Sequence, residues 1–295
     1  MEVFKLFSPR IIFRKTAYFC ALLCAAALFV SLSGGAQEAD NRASAAGLAP
    51  HKALYEIKLV GAKSGSQIVN ISGQMFYDWK PSCEAWISNH RFDLLYEYAD
   101  SPAMRLKSDF STYEAFDGTD MHFTSQRKRD GQLFEEVRGH AMLNADAGGG
   151  NAEYSIPEGV KYDIPPGGVF PMGHTLGLLE QIKKNAKFYN ATIFDGSDNE
   201  GPININAFIG KPVDRFADVK NMENVDKALL DSPAREVQLA FFPLDNDSAT
   251  SDYEMDLVFH ENGVISSMLV RYEDFTVTQT LKALEPLEAE QCAQE

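Results

Sequence analysis

The sequence predicts an all-β, mainly antiparallel protein: one large sheet or open β-barrel with a single central α-helix. Three observations carry this. Apolar and polar residues alternate with period two along most of the chain. Asp117-Gly118, Asp130-Gly131 and Asn262-Gly263 are hairpin-turn pairs set between such runs. Only one segment spaces its apolar residues by three and four. The chain has 295 residues, 45% of them hydrophobic, which is enough for a packed core.

The first element is an address. Arg10, Arg14 and Lys15 precede an apolar run from Ala17 to Leu32, and Ser33, Gly34, Gly35 and Ala36 follow. This is the pattern of a secretory signal peptide, with cleavage expected after Ala36. The run falls short of the ~20 residues of a membrane-spanning helix. Cys20 and Cys24 lack the small preceding residue of a lipoprotein anchor. No later stretch is apolar enough to span a bilayer, so export to the periplasm is expected, with no integral span left after cleavage.

Residues 37–49 are rich in Ala, Ser and Gly, and read as a flexible leader. One domain is expected over 50–295. Tyr55, Ile57 and Leu59 alternate first. Val69 to Trp79 form a second series, Trp86 to Tyr96 a third and Met104 to Phe110 a fourth. Later runs lie at 191–194, 203–209, 236–242, 253–260, 264–272 and 275–284. Pro165-Pro166-Gly167-Gly168 breaks the habit. Leu176, Leu178, Leu179 and Ile182 then predict a helix over about 173–186, with Lys183, Lys184 and Lys187 favoured near its negative end. Residues 211–234 read as a charged loop or short helix, and 245–252 as a polar hairpin tip.

Charge and cysteines narrow the function. The formal net charge is −15. Lys5, Arg10, Arg14 and Lys15 against Glu2 give the signal +3, which leaves −18 on the exported chain. Such a balance argues against nucleic acid and against a polybasic face on anionic lipid. Of four cysteines, Cys83 and Cys292 outlast the signal. In an oxidising compartment a disulfide is the preferred reading. Two buried thiols, or a redox pair without CxxC spacing, are the alternatives.

Catalytic motifs are missing from the pattern. There is no GxSxG and no phosphate loop, and Ser125-x-x-Lys128 sits in a strand-like run. Arg127-Lys128-Arg129 reads as a solvated strand edge. Asp195-Gly196-Ser197-Asp198-Asn199-Glu200 fails as a calcium loop because Glu200 stands where Gly is required. It reads as a polar turn, and no metal or cofactor is expected. The histidines at 51, 90, 122, 140, 174 and 260 form no ligand pair. His174, at the helix start, is either a cap or a general base. The stripe Tyr77, Trp79, Trp86, Phe92, Tyr96 is core or ligand cage. An open sheet of this size can enclose an apolar cavity.

Ala49-Pro50-His51-Lys52-Ala53-Leu54-Tyr55, Gly73-Gln74-Met75, Cys83-Glu84-Ala85-Trp86 and Arg91 resemble the EipB-like cell-envelope integrity proteins of alphaproteobacteria, a family once defined only as a domain of unknown function. So do Phe170-Pro171-x-x-His174, Phe188, Phe194-Asp195-Gly196-Ser197 and the late Cys292. The resemblance spans about 49–292. It implies a β-spiral of about fourteen strands pinned by one disulfide, a role in envelope integrity and stress resistance, and no enzymatic activity. His51, Tyr55, Gly73, Met75, Trp86, Arg91, Phe170, Pro171, His174, Phe194, Asp195, Gly196 and Ser197 are its motif positions, structural or binding. An envelope protein, or a lipid or peptidoglycan component, is the expected partner.

Overall fold

The computed structural model describes residues 47–217, 219, 222–244, 250–288 and 292. The signal peptide, most of the expected leader and most of the 245–252 tip lie outside these residues. The strands are β1 (His51–Ala62), β2 (Ile68–Pro81), β3 (Ala85–Tyr98), β4 (Met104–Ala115), β5 (Asp120–Arg129), β6 (Gln132–Leu143), β7 (Gly150–Ile156) and β8 (Lys161–Ile164). After the helix α1 (Pro171–Lys183) come β9 (Phe188–Ile193), β10 (Ile203–Val213), β11 (Ala234–Pro243), β12 (Tyr253–His260), β13 (Ile265–Tyr272) and β14 (Phe275–Pro286). The alternation is real: His51, Ala53, Tyr55 and Ile57 of β1 are all buried, with less buried residues between them. The charged 211–234 stretch holds the end of β10 and a 3-10 turn at Lys227–Leu230.

The fourteen strands form one sheet in the order β8-β7-β6-β5-β4-β3-β2-β1-β14-β13-β12-β11-β10-β9. Each named pair is antiparallel. Two meanders therefore meet where β1 pairs with β14, the two ends of the described chain. The sheet is open: β8 and β9 are its edges, although they follow one another in sequence. Only Val169 bridges toward β9, donating to the Thr192 carbonyl at 3.0 Å and accepting from Phe194 N–H at 3.1 Å. The twist that strands impose on one another curls this sheet into a spiral.

The curl brings the segment after β9 onto the inner face of the opposite arm. Arg127 of β5 donates to the Ser197 carbonyl at 3.1 Å, and Tyr154 of β7 donates to the Asp198 carbonyl at 2.7 Å. Phe194, completely buried, meets the Phe123 ring at 5.4 Å. Gly196 has φ +66°, and a Cβ there would lie 2.4 Å from Phe123 Cγ. Only glycine supplies both the left-handed backbone and the space. Residues 194–201 are thus a strap through the interior.

This refines one expectation and corrects another. The Asp195–Glu200 stretch, read as a polar turn, lies largely inside: Asp195, Ser197 and Asp198 are buried, while Asn199 and Glu200 are exposed. Their short polar side chains serve the strap itself, with Asp195 accepting from Ser197 N–H at 2.9 Å and Asp198 from Glu200 N–H at 2.8 Å. Arg127-Lys128-Arg129 is not a sheet edge, because β5 lies between β4 and β6. Arg127 is only 8% exposed and pairs with Glu135 at 2.7 Å. The strap's carbonyl is what draws that guanidinium inward.

Helix α1 begins two residues earlier than its apolar spacing suggests. Proline is pre-organised for the first helical turn, and Pro171 takes that place. Glu114 of β4 accepts from Met172 N–H at 2.8 Å and Gly173 N–H at 3.2 Å, satisfying the exposed amides of the helix start. The helix stops before Asn185, which turns left-handed at φ +54°. Leu178, Leu179 and Ile182 face the core.

Candidate functional site

Between the strap and the pairing of β1 with β14, the interior is less completely filled. The inward residues of β1 and β2 meet those of β12 and β13 around a cavity of about 70 Å³. His51, Tyr55, Met75, Tyr77, His90 and Ile265 line it, together with Met172 of α1, Met255 and Met268. Four of the chain's nine methionines are here. Unbranched thioether side chains adapt to varied shapes, and such linings recur at adaptable binding surfaces.

Register explains the convergence. Tyr55 faces Met75 across the β1–β2 pair, and Tyr77 faces His90 across β2–β3. The rings of His51 and Tyr77 lie 5.5 Å apart, those of Tyr77 and His90 4.7 Å apart. His51 Nδ1 donates to the Ala49 carbonyl at 2.7 Å, which leaves Nε2 as the acceptor nitrogen. Tyr55 OH donates to the Ile265 carbonyl at 2.7 Å, tying β1 to β13 over the intervening strand. Burial lowers the His51 pKa against the opposing pull of the Ala49 carbonyl, and lowers that of His90 further. Both imidazoles are neutral near pH 7. His90 is 4% exposed, and its Nδ1 has no protein hydrogen-bond partner.

A second hollow of about 260 Å³ adjoins the cavity at one end of the spiral, and Leu48 and Trp79 line both. Trp86 stacks on Trp79 at 5.5 Å and meets Phe116 edge-on at 4.5 Å. The Cys83–Cys292 disulfide lies at this mouth, its Cα atoms 5.4 Å apart and its residues separated by 209 positions. The C-terminal segment reaches it past β1, where Leu287 N–H donates to the Pro50 carbonyl at 2.9 Å. Residues 47–49 are seated here too, with Ala49 N–H donating to the Asn262 carbonyl at 2.9 Å.

The motif positions therefore divide. His51, Tyr55 and Met75 line the cavity, and Trp86 lines its mouth. Gly73 sits under β3, where a Cβ would lie 2.2 Å from the Asp93 carbonyl oxygen. Phe170 and Pro171 set the helix start, and Phe194 to Ser197 form the strap. Arg91 is outside, exposed, 3.7 Å from Asp109 and over the Phe76 ring. The aromatic stripe divides as well: Phe92 and Tyr96 are core, while Trp79, Tyr77 and Trp86 face the hollows.

His174 is a correction. It neither caps the helix nor meets a carboxylate. It is completely buried, stacks on Tyr189 at 5.3 Å, and has no protein hydrogen-bond partner at either ring nitrogen. Burial lowers its pKa to about 3. Sequence reading missed Glu114, which is 2% exposed and whose pKa burial raises to about 7 against its two amide donors. Its one signal is parity: it shares the inward face of β4 with Leu106 and Phe110.

Residues 42–288 match the EipB-like family profile. The chain belongs to the EipB-like family. It is 29% identical over 266 residues to the cell envelope integrity protein EipB of Brucella abortus, covering 87% of this chain and 90% of that protein. A solved β-barrel-like protein of a domain of unknown function, also from Brucella abortus, superposes with a TM-score of 0.74 at 26% identity. That match covers 82% of this chain and 99% of the other. The solved neighbour is thus barrel-like, and the open fourteen-stranded sheet found here superposes on it.

Proposed function

We propose that this EipB-like protein is a non-enzymatic periplasmic protein that sustains cell-envelope integrity and resistance to envelope stress through contact with an envelope protein or envelope component. The observation that carries the reading is the family match over 42–288, together with the name of the Brucella relative. Export by residues 1–36, with cleavage after Ala36, belongs to the same proposal. N-terminal sequencing of the exported protein checks it.

A deletion strain is expected to become sensitive to detergents and cell-wall antibiotics, and the full-length gene to restore resistance. Normal sensitivity of the deletion strain counts against the role. The alternative of a hydrolase built on His174 and Asp195 loses support from the unpartnered ring of His174. Complementation by His174→Ala at wild-type level is the expected result.

A second reading, favoured by the methionine-lined cavity, is that the contact is a bound lipid or peptide held in the interior. Ligand co-purifying with periplasmic protein in native mass spectrometry is its expected sign.

A further inference from the structure

The outer face of the sheet holds a histidine pair that only the strand register brings together. His122 of β5 stands directly opposite His140 of β6. Their ring centroids are 6.1 Å apart, and the ring planes are inclined by 29°. Both point away from the core: Met121, Phe123 and Ala141 beside them are buried, while His122 is exposed and His140 half-buried. Opposed Cβ atoms on an antiparallel pair lie about 5 Å apart. Two imidazoles on one metal ion place their nitrogens roughly 3–4 Å from each other, with metal–nitrogen bonds of about 2 Å. Rotation of two surface rings spans the difference, while the β5–β6 ladder, inside the sheet, holds their roots in place.

Met142 follows His140 by two positions on β6, so it shares that face. It is 51% exposed, the one methionine among the exposed large apolar side chains of the described residues. It stands opposite Asp120, whose carboxylate lies 3.3 Å from His122 Nε2. Metal-bound histidines commonly give their second N–H to a carboxylate placed in this way, which leaves the other ring nitrogen for the metal. Glu153, opposite His140 on β7, is turned to Lys161 at 2.5 Å. Among the described residues no three His, Cys, Asp or Glu side chains form a metal-ligand group. The third donor on this face is therefore the thioether.

We propose that His122, His140 and Met142 form a surface site for copper(I). Imidazole accepts several metals, but thioether sulfur is soft and favours copper(I) over zinc, calcium or magnesium. A structural zinc site takes four ligands, one more than this face presents. The inference goes beyond the envelope reading and does not rest on it.

The test titrates the exported chain, its disulfide intact, with the acetonitrile complex of copper(I) in a calorimeter under anaerobic conditions. Saturation at one copper per chain is expected. His122→Asn and His140→Asn are each expected to lose about tenfold or more in affinity, and Met142→Leu about tenfold. All three side chains lie on the outer face, so wild-type far-ultraviolet circular dichroism is expected throughout. Zinc sulfate titrated in the same way is expected to bind more weakly than copper(I), with no change in Met142→Leu.

Copper(I) binding that fails to saturate, or that both histidine variants leave unchanged, overturns the site. Unchanged copper(I) affinity in Met142→Leu removes the thioether from the ligand set and, with it, the choice of metal. Zinc binding tighter than copper(I) overturns that choice as well.

Discussion

The two parts of the interior are built on opposite principles. Under β5, β7 and β8, the strap fills the spiral with Phe194 and satisfies its own backbone through Arg127 and Tyr154. Under β1, β2, β12 and β13, adaptable methionines surround a hollow and a histidine nitrogen lacks a protein partner. Both parts lie under the same sheet, with the same alternation. The difference is that the strap plugs one arm's inner face, while the other arm's buried side chains leave a hollow of about 70 Å³ between them. Motif residues occur in both parts, so membership in a motif does not by itself separate scaffold from site.

The largest expected effect breaks the covalent closure at the open part. There the mouth is held by a bond that ties the C-terminus across a 209-residue separation. The chain-entropy model values such a closure at roughly 5 kcal/mol. Cys83→Ser with Cys292→Ser is expected to lower urea-unfolding stability by up to that amount. A loss below about 1 kcal/mol would mean that packing of the tail on Pro50 holds the mouth without the bond.

The next effect sharpens the contrast in packing. Phe194→Ala removes a completely buried ring from the strap and should cost about 3–5 kcal/mol. Met255→Leu, a similar volume beside an existing hollow, should cost less than about 1.5 kcal/mol. Equal costs in the two variants would mean that the two parts are packed alike.

The sheet was largely legible in the sequence, and the site much less so. Alternation and Asp-Gly or Asn-Gly turns mark strands locally, and the 3–4 spacing marks α1. The cysteine pairing is legible because only two cysteines lie outside the expected signal peptide. The cavity, by contrast, depends on β1 meeting β14 from the other end of the chain, which no local pattern encodes. Asp195-Gly196-Ser197 reads as a polar turn because those residues favour turns wherever the turn is. Its burial depends on the curl of a sheet whose edges lie at β8 and β9. Glu114 is hidden for the same reason, since its helix-start partners are more than fifty positions away.

Helix α1 stands between the two parts, and its two buried titratable contacts have opposite pH signs. Glu114 has a folded pKa of about 7, above its ordinary 4.5. Between those values the folded chain holds a proton that the unfolded chain has lost. Stability is therefore expected to fall as pH rises through that window, by about 3 kcal/mol in all. Glu114→Gln keeps an acceptor for Met172 N–H and should remove this slope. Denaturation midpoints at pH 5 and pH 8 compare the two proteins, and an unchanged slope would mean that the Glu114 carboxyl is hydrated in the folded chain.

The smallest effect concerns His174, and its sign is reversed. Its folded pKa of about 3 lies below the ordinary 6.5, so between those values the unfolded chain binds a proton that the folded chain excludes. Stability is present above 6.5 and is lost as pH falls through that window. At pH 5 the loss is about 2 kcal/mol. His174→Leu has no charge to exclude and leaves no ring nitrogen unpaired, so it should be more stable than wild type at pH 5. That advantage should shrink by about 2 kcal/mol at pH 8. A pH-independent difference would mean that the ring is already hydrogen-bonded in solution, and would place a polar pocket beside Tyr189. The expected result keeps the His174 face of the helix as apolar filling beside Tyr189.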